Sequence, residues 1–473
     1  MNKRILFLHP PLTLKERYGV LAQAGYTAPP YGLCYLASYA RQMGYDTRIL
    51  DAQALIWGMD KTLKAISDYN PDYIGITITT QLLPNAAIVA DHIKNILPDV
   101  KIIVGGVHVT SKPIETMQYS NAFDFGITGE GEEALTDLLE AIKSNRDISR
   151  IKGIVYRNDD SIVSTGPRSV IRDIDKLPLP AFDLLPYLPK YYRATTQTVD
   201  RLPSLLLMTA RGCPGRCTFC DNSVHGHIIR EHSPQYVEKM LKILTEKYSI
   251  RSIFFYDENF FVNHDRVRAI CGIIRNMDRS ISWSCMARVD TVNREILETI
   301  YEAGCWQINF GIESAEQQIL NLYKKGITLP QIEKAVNIAS ETGLNVKGFI
   351  MVGNPLETEA SMTKTLDFVK GLPLDDLSIA FFTPYPGSEI YSSVENYGTF
   401  KKDYSLMSSF NPVFIPYGFT EDNMWYWAKK IYREFYLRPR IILSYIRRLR
   451  SPEQFKELFI SGLMLIRYIF SGN

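Results

Sequence analysis

Residues 72–107 read DYIGITITTQLLPNAAIVADHIKNILPDVKIIVGGV. An apolar run rich in isoleucine and threonine (72–80) is followed by a helical pattern, NAAIVADHIKNIL (85–97), and a second apolar run (100–107). Strand, helix and strand in about 30 residues describe one crossover unit of a parallel sheet. The same alternation continues on both sides. Residues 3–9 (KRILFLH), 46–52 (DTRILDA) and 124–130 (DFGITGE) read as further strands, and GLCYLASYARQMG, DKTLKAISDY and EEALTDLLEAIKS as helices between and after them. Five parallel strands with helices on both faces follow. In such sheets ligands bind beyond the carboxyl ends of the strands. Those ends carry His9-Pro10-Pro11, Thr79-Thr80, Gly105-Gly106-Val107-His108 and Gly129-Glu130-Gly131-Glu132. Glycines there let a backbone come close to a bulky ligand.

Residues 151–170 pattern as a small hairpin, and KLPLPAFDLLPYLP after it is dense in proline, as an extended linker is. Alternation then resumes. Strands are expected at 203–210, 252–258, 282–288, 305–313, 345–353 and 376–386, with helices such as PQYVEKMLKILTEKY and LPQIEKAVNIASETG between them. Six such units are too few for a closed eight-stranded barrel and suit an open, partial one. The expected fold is therefore α/β: a doubly wound parallel sheet of flavodoxin type, a partial (β/α)6 barrel and a helical C-terminal extension. The expected division is 1–147, a hairpin and linker at 148–198, the barrel at 199–425 and the extension at 426–473.

The chain has 473 residues, 46% hydrophobic and 22% charged, with net charge +2. That balance gives no reason to expect nucleic acid as a partner. No stretch is apolar for the roughly 18 residues a membrane span needs, and the start, MNKRILFLHPP, lacks the pattern of a signal peptide. A cytoplasmic setting is expected, with the seven cysteines present as thiols or metal ligands.

Three of those cysteines stand in RGCPGRCTFCDN, residues 211–222. Their spacing, C-x3-C-x2-C, places Cys213, Cys217 and Cys220 in a loop that follows the first barrel strand. The carboxyl end of a parallel barrel is where active sites are built. Three thiolates there fit three irons of a cubane cluster, leaving one iron open to a ligand. The alternative is a zinc site completed by His225, His227 or His232, which would make the chain a non-catalytic interaction protein. Cys34, Cys271, Cys285 and Cys305 sit singly in apolar patterns and read as core.

The cysteine spacing, with Phe219 before the last cysteine, resembles the radical S-adenosylmethionine enzymes. The resemblance implies a [4Fe–4S] cluster on Cys213, Cys217 and Cys220, with S-adenosylmethionine on the open iron. It further implies cofactor contacts from Asp257-Glu258-Asn259, Arg288, Glu313-Ser314, Gly353 and Pro355. Together with PPYGLCYLASYARQMGYDTRILD, GGVHVT and TGEGEEAL, the chain from residue 1 to about 430 is similar to the cobalamin-binding branch of that family. That branch includes anaerobic magnesium-protoporphyrin monomethyl ester cyclase and several carbon methyltransferases. Cobalamin is then expected at Pro10, Thr79, Thr80, Gly105, Gly106, His108, Gly129 and Glu130. The Asp-x-His-x-x-G motif of many cobalamin domains is absent from the loop after the first strand, HPPLTLKERYGV. His9 and His108 are therefore read as structural or nucleotide-tail residues before cobalt ligands. A degenerate domain that merely scaffolds the barrel stays open.

The chemistry so implied is reductive cleavage of S-adenosylmethionine to a 5′-deoxyadenosyl radical, which takes hydrogen from an unactivated carbon. Methyl transfer from methylcobalamin is favoured over cyclisation or rearrangement. No catalytic side chain is singled out, because no convincing nucleophile and base pair stands in the sequence. The implied partners are a small-molecule or lipid-like substrate and an external electron donor such as flavodoxin or ferredoxin. The tail, with the basic amphipathic stretch REFYLRPRIILSYIRRLR (433–450) and the apolar LFISGLMLIRYIF (458–470), reads as a helical cap on the open barrel. Peripheral contact with a membrane surface is the alternative.

Overall fold

The computed structural model describes residues 3–19, 22, 25, 27–192, 200–447 and 452–470. Parts of two expected segments, residues 193–198 of the linker and 448–450 of the basic stretch, lie outside the described residues.

The first sheet contains β1 (Arg4–His9), β2 (Asp46–Asp51), β3 (Tyr73–Thr77), β4 (Lys101–Gly105) and β5 (Phe125–Ile127), followed by β6 (Ile154–Asn158) and β7 (Ser161–Ser164). Its order is β2-β1-β3-β4-β5-β6-β7, parallel through β5. The hairpin thus does not stand with the linker. Phe125 pairs antiparallel with Tyr156, and the sheet continues to Ser164. Alternate side chains of one strand serve opposite layers. Ile5 and Phe7 pack with Leu33, Ala37, Leu135 and Leu138 of the helices Tyr31–Gln42 and Gly131–Lys143. Leu6 and Leu8 pack with Ile66, Val89 and Ile93 of Met59–Tyr69 and Leu83–Ile96. Burial on both faces explains why these strands read as unbroken apolar runs.

The second sheet opens with β8 (Ser204–Leu207). The short strands β9 (Ala210–Arg211) and β10 (Arg230–Glu231) pair antiparallel on either side of the cysteine loop. Then follow β11 (Ser252–Phe255), β12 (Ser282–Ala287), β13 (Cys305–Glu313), β14 (Asn345–Val352) and β15 (Asp376–Phe381). Its order is β15-β14-β13-β12-β11-β8, six strands, all parallel. It is an open barrel, so β15 has a bare edge. The helix Glu421–Tyr436, started by a Thr420–Asn423 capping box, covers that edge. Tyr432 Oη accepts from Ile379 N at 3.2 Å, and Tyr436 Oη donates to Leu377 O at 2.7 Å. Two tyrosine hydroxyls therefore take ladder groups that an edge strand would otherwise expose. The helices Pro439–Arg447 and Pro452–Phe470 follow, and Tyr468 packs on Trp425 and Tyr432 of the covering helix. Among the described residues no helix is long and apolar enough to cross a membrane.

The first barrel strand ends at Leu207, earlier than its apolar pattern (203–210) implies. The buried Asp257 carboxylate accepts from Thr209 N, Thr209 Oγ1 and Ala210 N. Those donors leave the ladder, and the chain turns into the cysteine loop.

Candidate active site

The cysteine loop begins at Gly212, whose φ of 85° suits glycine, and a Cβ there would stand 2.5 Å from Ile228 O. Thr218 ties the loop's far side down: its N–H donates to Tyr323 O at 2.9 Å and its carbonyl accepts from Ile390 N at 3.0 Å. Cys213 and Cys217 are half-buried and Cys220 is exposed. Between the sulfurs stands Gly215. A Cβ on it would lie 3.4 Å from Cys213 Sγ, 4.0 Å from Cys217 Sγ and 3.6 Å from Arg288 Nη1. The space the sulfurs face is thus kept clear by a missing side chain. Replacing Gly215 by valine is expected to cut iron bound per chain several-fold while the chain still folds. Iron analysis beside a circular dichroism spectrum checks this, and unchanged iron would refute it.

The loop sits in a positive field. Arg288 Nη1 lies 3.8 Å from Cys217 Sγ, while Arg288 Nη2 donates to Lys325 O at 2.7 Å. The Cys217 thiol is lowered to about 6, first by the hydrogen bond from Cys220 and then by Lys325 and Arg288. Cys220 is correspondingly raised. Burial raises Cys213, so Cys217 is the one thiol of the three shifted toward the thiolate that ligates metal. The histidines weighed for zinc are engaged elsewhere. His225 Nδ1 faces Glu130 Oε1 at 3.2 Å, His227 Nδ1 meets Gly215 O at 2.9 Å, and His232 lies stacked on Tyr236 with ring centroids 3.8 Å apart.

The strand ends divide into two groups. Glu313, Arg288 and Glu258 gather at the loop. Glu313 holds φ 65° where the pairing of β13 with β14 slips by one residue, and Lys325 Nζ donates to its Oε1 at 2.6 Å. A left-handed conformation in a non-glycine residue costs free energy and marks functional sites disproportionately. Glu258 is exposed, and its charge acts on Cys213. The second group makes contacts within the protein. Asp257 anchors β9 as described, and burial pushes its carboxyl up. Asn259 is buried and accepts from Phe261 N at 3.4 Å. Ser314 Oγ accepts from Glu316 N at 3.1 Å. Gly353, φ 79°, packs against Met424, whose Sδ would stand 2.9 Å from a Cβ, and Pro355 is buried beside it.

A cavity of about 1400 Å³ lies where the carboxyl ends of both sheets face one another. His9, Thr79 and Thr80 line it from the first sheet, and Phe254, Met286 and Glu313 from the barrel. It exceeds the roughly 300–1,000 Å³ of ordinary small-molecule sites. A second cavity of about 470 Å³ runs along the first sheet, lined by Gly75, Gly105, Gly106 and Gly129 and reaching Arg211 and Tyr256. Gly106, φ 111°, touches Ile78 so closely that a Cβ would meet its carbonyl at 2.8 Å. Pro10 and His108 line neither cavity. The Pro10 carbonyl accepts from Gln53 at 3.1 Å. His108 is buried, with Nδ1 3.2 Å from Thr80 Oγ1 and its ring edge-on to Tyr404, and burial lowers it to about 4. His9 does face the large cavity, with Nδ1 3.0 Å from Asp51, which also accepts from Tyr192 Oη at 2.9 Å. Carboxylates paired in this way fix the orientation of an imidazole.

Glu130 lines the smaller cavity and is also held in a buried ion-pair network. Its carboxylate accepts from Arg211 at 3.1 Å, from Arg230 at 2.7 Å and from Ile171 N at 2.8 Å. Glu132 accepts from Arg211 at 2.6 Å. All four side chains are buried. The first sheet's last loop thereby grips β9 and β10, the two stems of the cysteine loop. Sequence reading places Glu132 at a strand end but misses the roles of Arg211, Arg230 and Lys325. Only the adjacency of Arg211 to the cysteines signals any of those three.

The comparisons fit this geometry. Residues 18–139 match the family described as B12 binding domain, and residues 207–369 match the Radical SAM superfamily. An uncharacterized methyltransferase of Pyrococcus horikoshii is 34% identical over 93% of this chain and 94% of its own length. The chain belongs to the cobalamin-binding radical S-adenosylmethionine enzymes. The anaerobic magnesium-protoporphyrin IX monomethyl ester cyclase of Rubrivivax gelatinosus is 25% identical, over 83% of this chain and 70% of that protein. Among solved structures, the cobalamin-dependent S-adenosylmethionine radical enzyme OxsB with aqua-cobalamin bound superposes with a TM-score of 0.75 at 18% identity, over 99% of this chain and 72% of that one. For a cobalamin-binding radical S-adenosylmethionine enzyme the cofactors are cobalamin, a [4Fe–4S] cluster and S-adenosylmethionine, and an external reductant is required. The zinc-binding interaction protein is thereby set aside.

Proposed function

We propose that this enzyme methylates an unactivated carbon of a small-molecule or lipid-like substrate in the large cavity. The observation that carries the reading is that one cavity joins the strand ends of both sheets beside the cysteine loop. Cys213, Cys217 and Cys220 would hold the cluster, whose open iron faces the space that Gly215 leaves clear. Glu258, Arg288 and Glu313 would contact S-adenosylmethionine. Thr79 and Thr80 would meet cobalamin at the large cavity, and Gly105, Gly106 and Gly129 would line the slot for its nucleotide tail. When bound, the cluster supplies the electron that yields a 5′-deoxyadenosyl radical, and cobalamin carries the methyl group. The chain's own part is to position the reactants and exclude water. Phe254, Met286 and Phe349 give the barrel end an apolar wall that keeps water away. The cobalamin unit would run from residue 1 to about Ser164, since the hairpin completes its sheet. Flavodoxin or ferredoxin would approach the cysteine loop, whose tip exposes Arg216 to an acidic carrier. Contact with a membrane surface would be peripheral only.

Cyclisation is the rival, favoured by the likeness to the ester cyclase. Product analysis separates them. With S-adenosylmethionine and a reductant, the methyl-transfer reading expects S-adenosylhomocysteine to accumulate only when cobalamin is present. Formation of 5′-deoxyadenosine without S-adenosylhomocysteine, under the same conditions with cell-extract lipids and metabolites supplied as substrate, would reject methyl transfer.

A further inference from the structure

The large cavity has a second end that the cofactors do not explain. Its far wall is built by the helices Pro439–Arg447 and Pro452–Phe470. Ile442, Ile446, Phe455, Phe459, Leu463 and Ile466 are each between 44% and 57% exposed, yet every one of them lines the cavity. Part of their exposed surface therefore faces the chamber. Among the described residues, no charged side chain of these two helices lines it. Charged groups enter the cavity from other elements: Arg17 and Asp221, Glu313 at the carboxyl end of β13, and Lys347 near the amino end of β14. The stretch of wall given by the two C-terminal helices is thus uncharged.

Gly462 adds a separate sign. It lies within the helix Pro452–Phe470 and lines the cavity, and a Cβ built on it meets nothing within 4 Å. Glycine is a poor residue for a helix interior. Here it keeps the wall hollow.

We infer that the two C-terminal helices form an apolar sleeve for the long alkyl or isoprenoid chain of the substrate, with the reacting carbon held at the barrel end. The inference rests on the reading of the large cavity as the reaction chamber, and the occupant follows from the sleeve's continuity with that chamber. A face built to lie on a bilayer would turn its apolar side chains away from the cavity; six of the exposed ones line it, while Leu443, Ile460 and Phe470 do not. Covering a wall of half-exposed aliphatic and aromatic side chains favours a chain long enough to touch several at once.

The test uses the full-length, cofactor-reconstituted protein and cis-parinaric acid, a fluorescent long-chain polyene fatty acid. Saturable binding at a single site per chain is expected. Phe459→Asp is expected to weaken it by about tenfold or more, as loss of a buried aromatic contact should. Ile460→Asp changes a neighbour that is exposed but does not line the cavity, so its affinity should stay within about twofold of the parent. Gly462→Phe should fold at least as well, weaken the long probe by about tenfold, and leave a short-chain fluorescent fatty acid unaffected. Non-saturable binding by the parent, or equal losses in Phe459→Asp and Ile460→Asp, would overturn the sleeve and point to a membrane or protein contact. So would equal effects of Gly462→Phe on both chain lengths. Formation of 5′-deoxyadenosine is measured separately on the parent. Its absence would reject the radical chemistry while the probe result still decides the sleeve.

Discussion

Cys217→Ala is expected to lose the cluster and to reduce 5′-deoxyadenosine formation by more than about a hundredfold, because losing even an outer-shell partner of a metal site costs 10–100-fold. The argument is local. Cys217 is the cysteine set against the two cations of the site, Arg288 at 3.8 Å and Lys325 beyond. Its thiol is the one lowered toward neutrality. Without it, one iron has no protein ligand in addition to the iron left open by the three-cysteine spacing. The cluster then has two anchors, and Arg288 loses the sulfur nearest to it. Cys271→Ala serves as the control, since Cys271 is fully buried in the helix His264–Arg275. It should cost a modest amount of stability through the small void it leaves and keep its iron. Iron and sulfide analysis with an absorption spectrum reads the outcome. Equal iron in both variants would remove the cysteine loop from the account.

The second large effect is structural. Glu130→Ala is expected to destabilise the protein by about 3–5 kcal/mol, the cost of breaking a buried ion pair and stranding its partner. Glu130 is 8% exposed, and removing its carboxylate takes the acceptor from Arg230, 6% exposed, and one of two acceptors from Arg211. The hydrogen bond from Ile171 N is lost as well. Replacing Arg230 by methionine in the same chain should recover part of the loss, because an apolar side chain strands no charge. Thermal unfolding of the two variants measures this, and a drop within that of ordinary surface substitutions would refute it. The pH dependence has a definite sign. Hydrogen bonds from His225 and Arg230 and the Arg211 charge hold the Glu130 carboxyl far below its ordinary range, against its burial. A depressed carboxyl contributes stability above its unfolded value of about 4.3 and loses it as pH falls toward the folded value. His108 and His232 act in the same direction, since burial lowers each to about 4. Protonation of the unfolded chain below about 6.5 therefore draws stability away as pH falls from there to 4. Glu130→Ala should flatten the acid limb of the curve.

Both predictions turn on residues that the sequence exposes unequally. The parallel strands were legible because burial on both faces leaves runs such as KIIVG and DYIGIT uninterrupted, and the cysteine spacing is local. The hairpin's attachment to the sheet was not legible, since pairing of Phe125 with Tyr156 has no periodic signature. Glu130 is expected as a cofactor contact from its place after a strand, and it does line the smaller cavity. Its ion-pair partner Arg230 lies 100 residues away, and charge pairing over that separation leaves no mark in either segment. Asp257 and Asn259 were legible as a strand-end motif, but their side chains turn into the scaffold and only Glu258 faces the loop. Gly353 and Pro355 are expected as adenine contacts from the resemblance alone; Gly353 packs against Met424 of the covering helix, a neighbour the sequence does not reveal. His9 and His108 look alike as strand-end histidines. Only the fold shows that one faces the large cavity and the other is buried against Tyr404. The C-terminal helices pattern as amphipathic either way, and a sequence does not say whether an apolar face covers a barrel, a bilayer or a substrate.

One measurement tests the central claim most directly. The protein is reconstituted anaerobically with iron, sulfide and cobalamin, supplied with S-adenosylmethionine and dithionite, and its products are read by mass spectrometry beside its metal content. The account predicts about four irons and matching sulfide per chain, bound cobalamin, and 5′-deoxyadenosine that disappears in Cys217→Ala. A protein that carries about one zinc and no sulfide, and makes no 5′-deoxyadenosine, would contradict it.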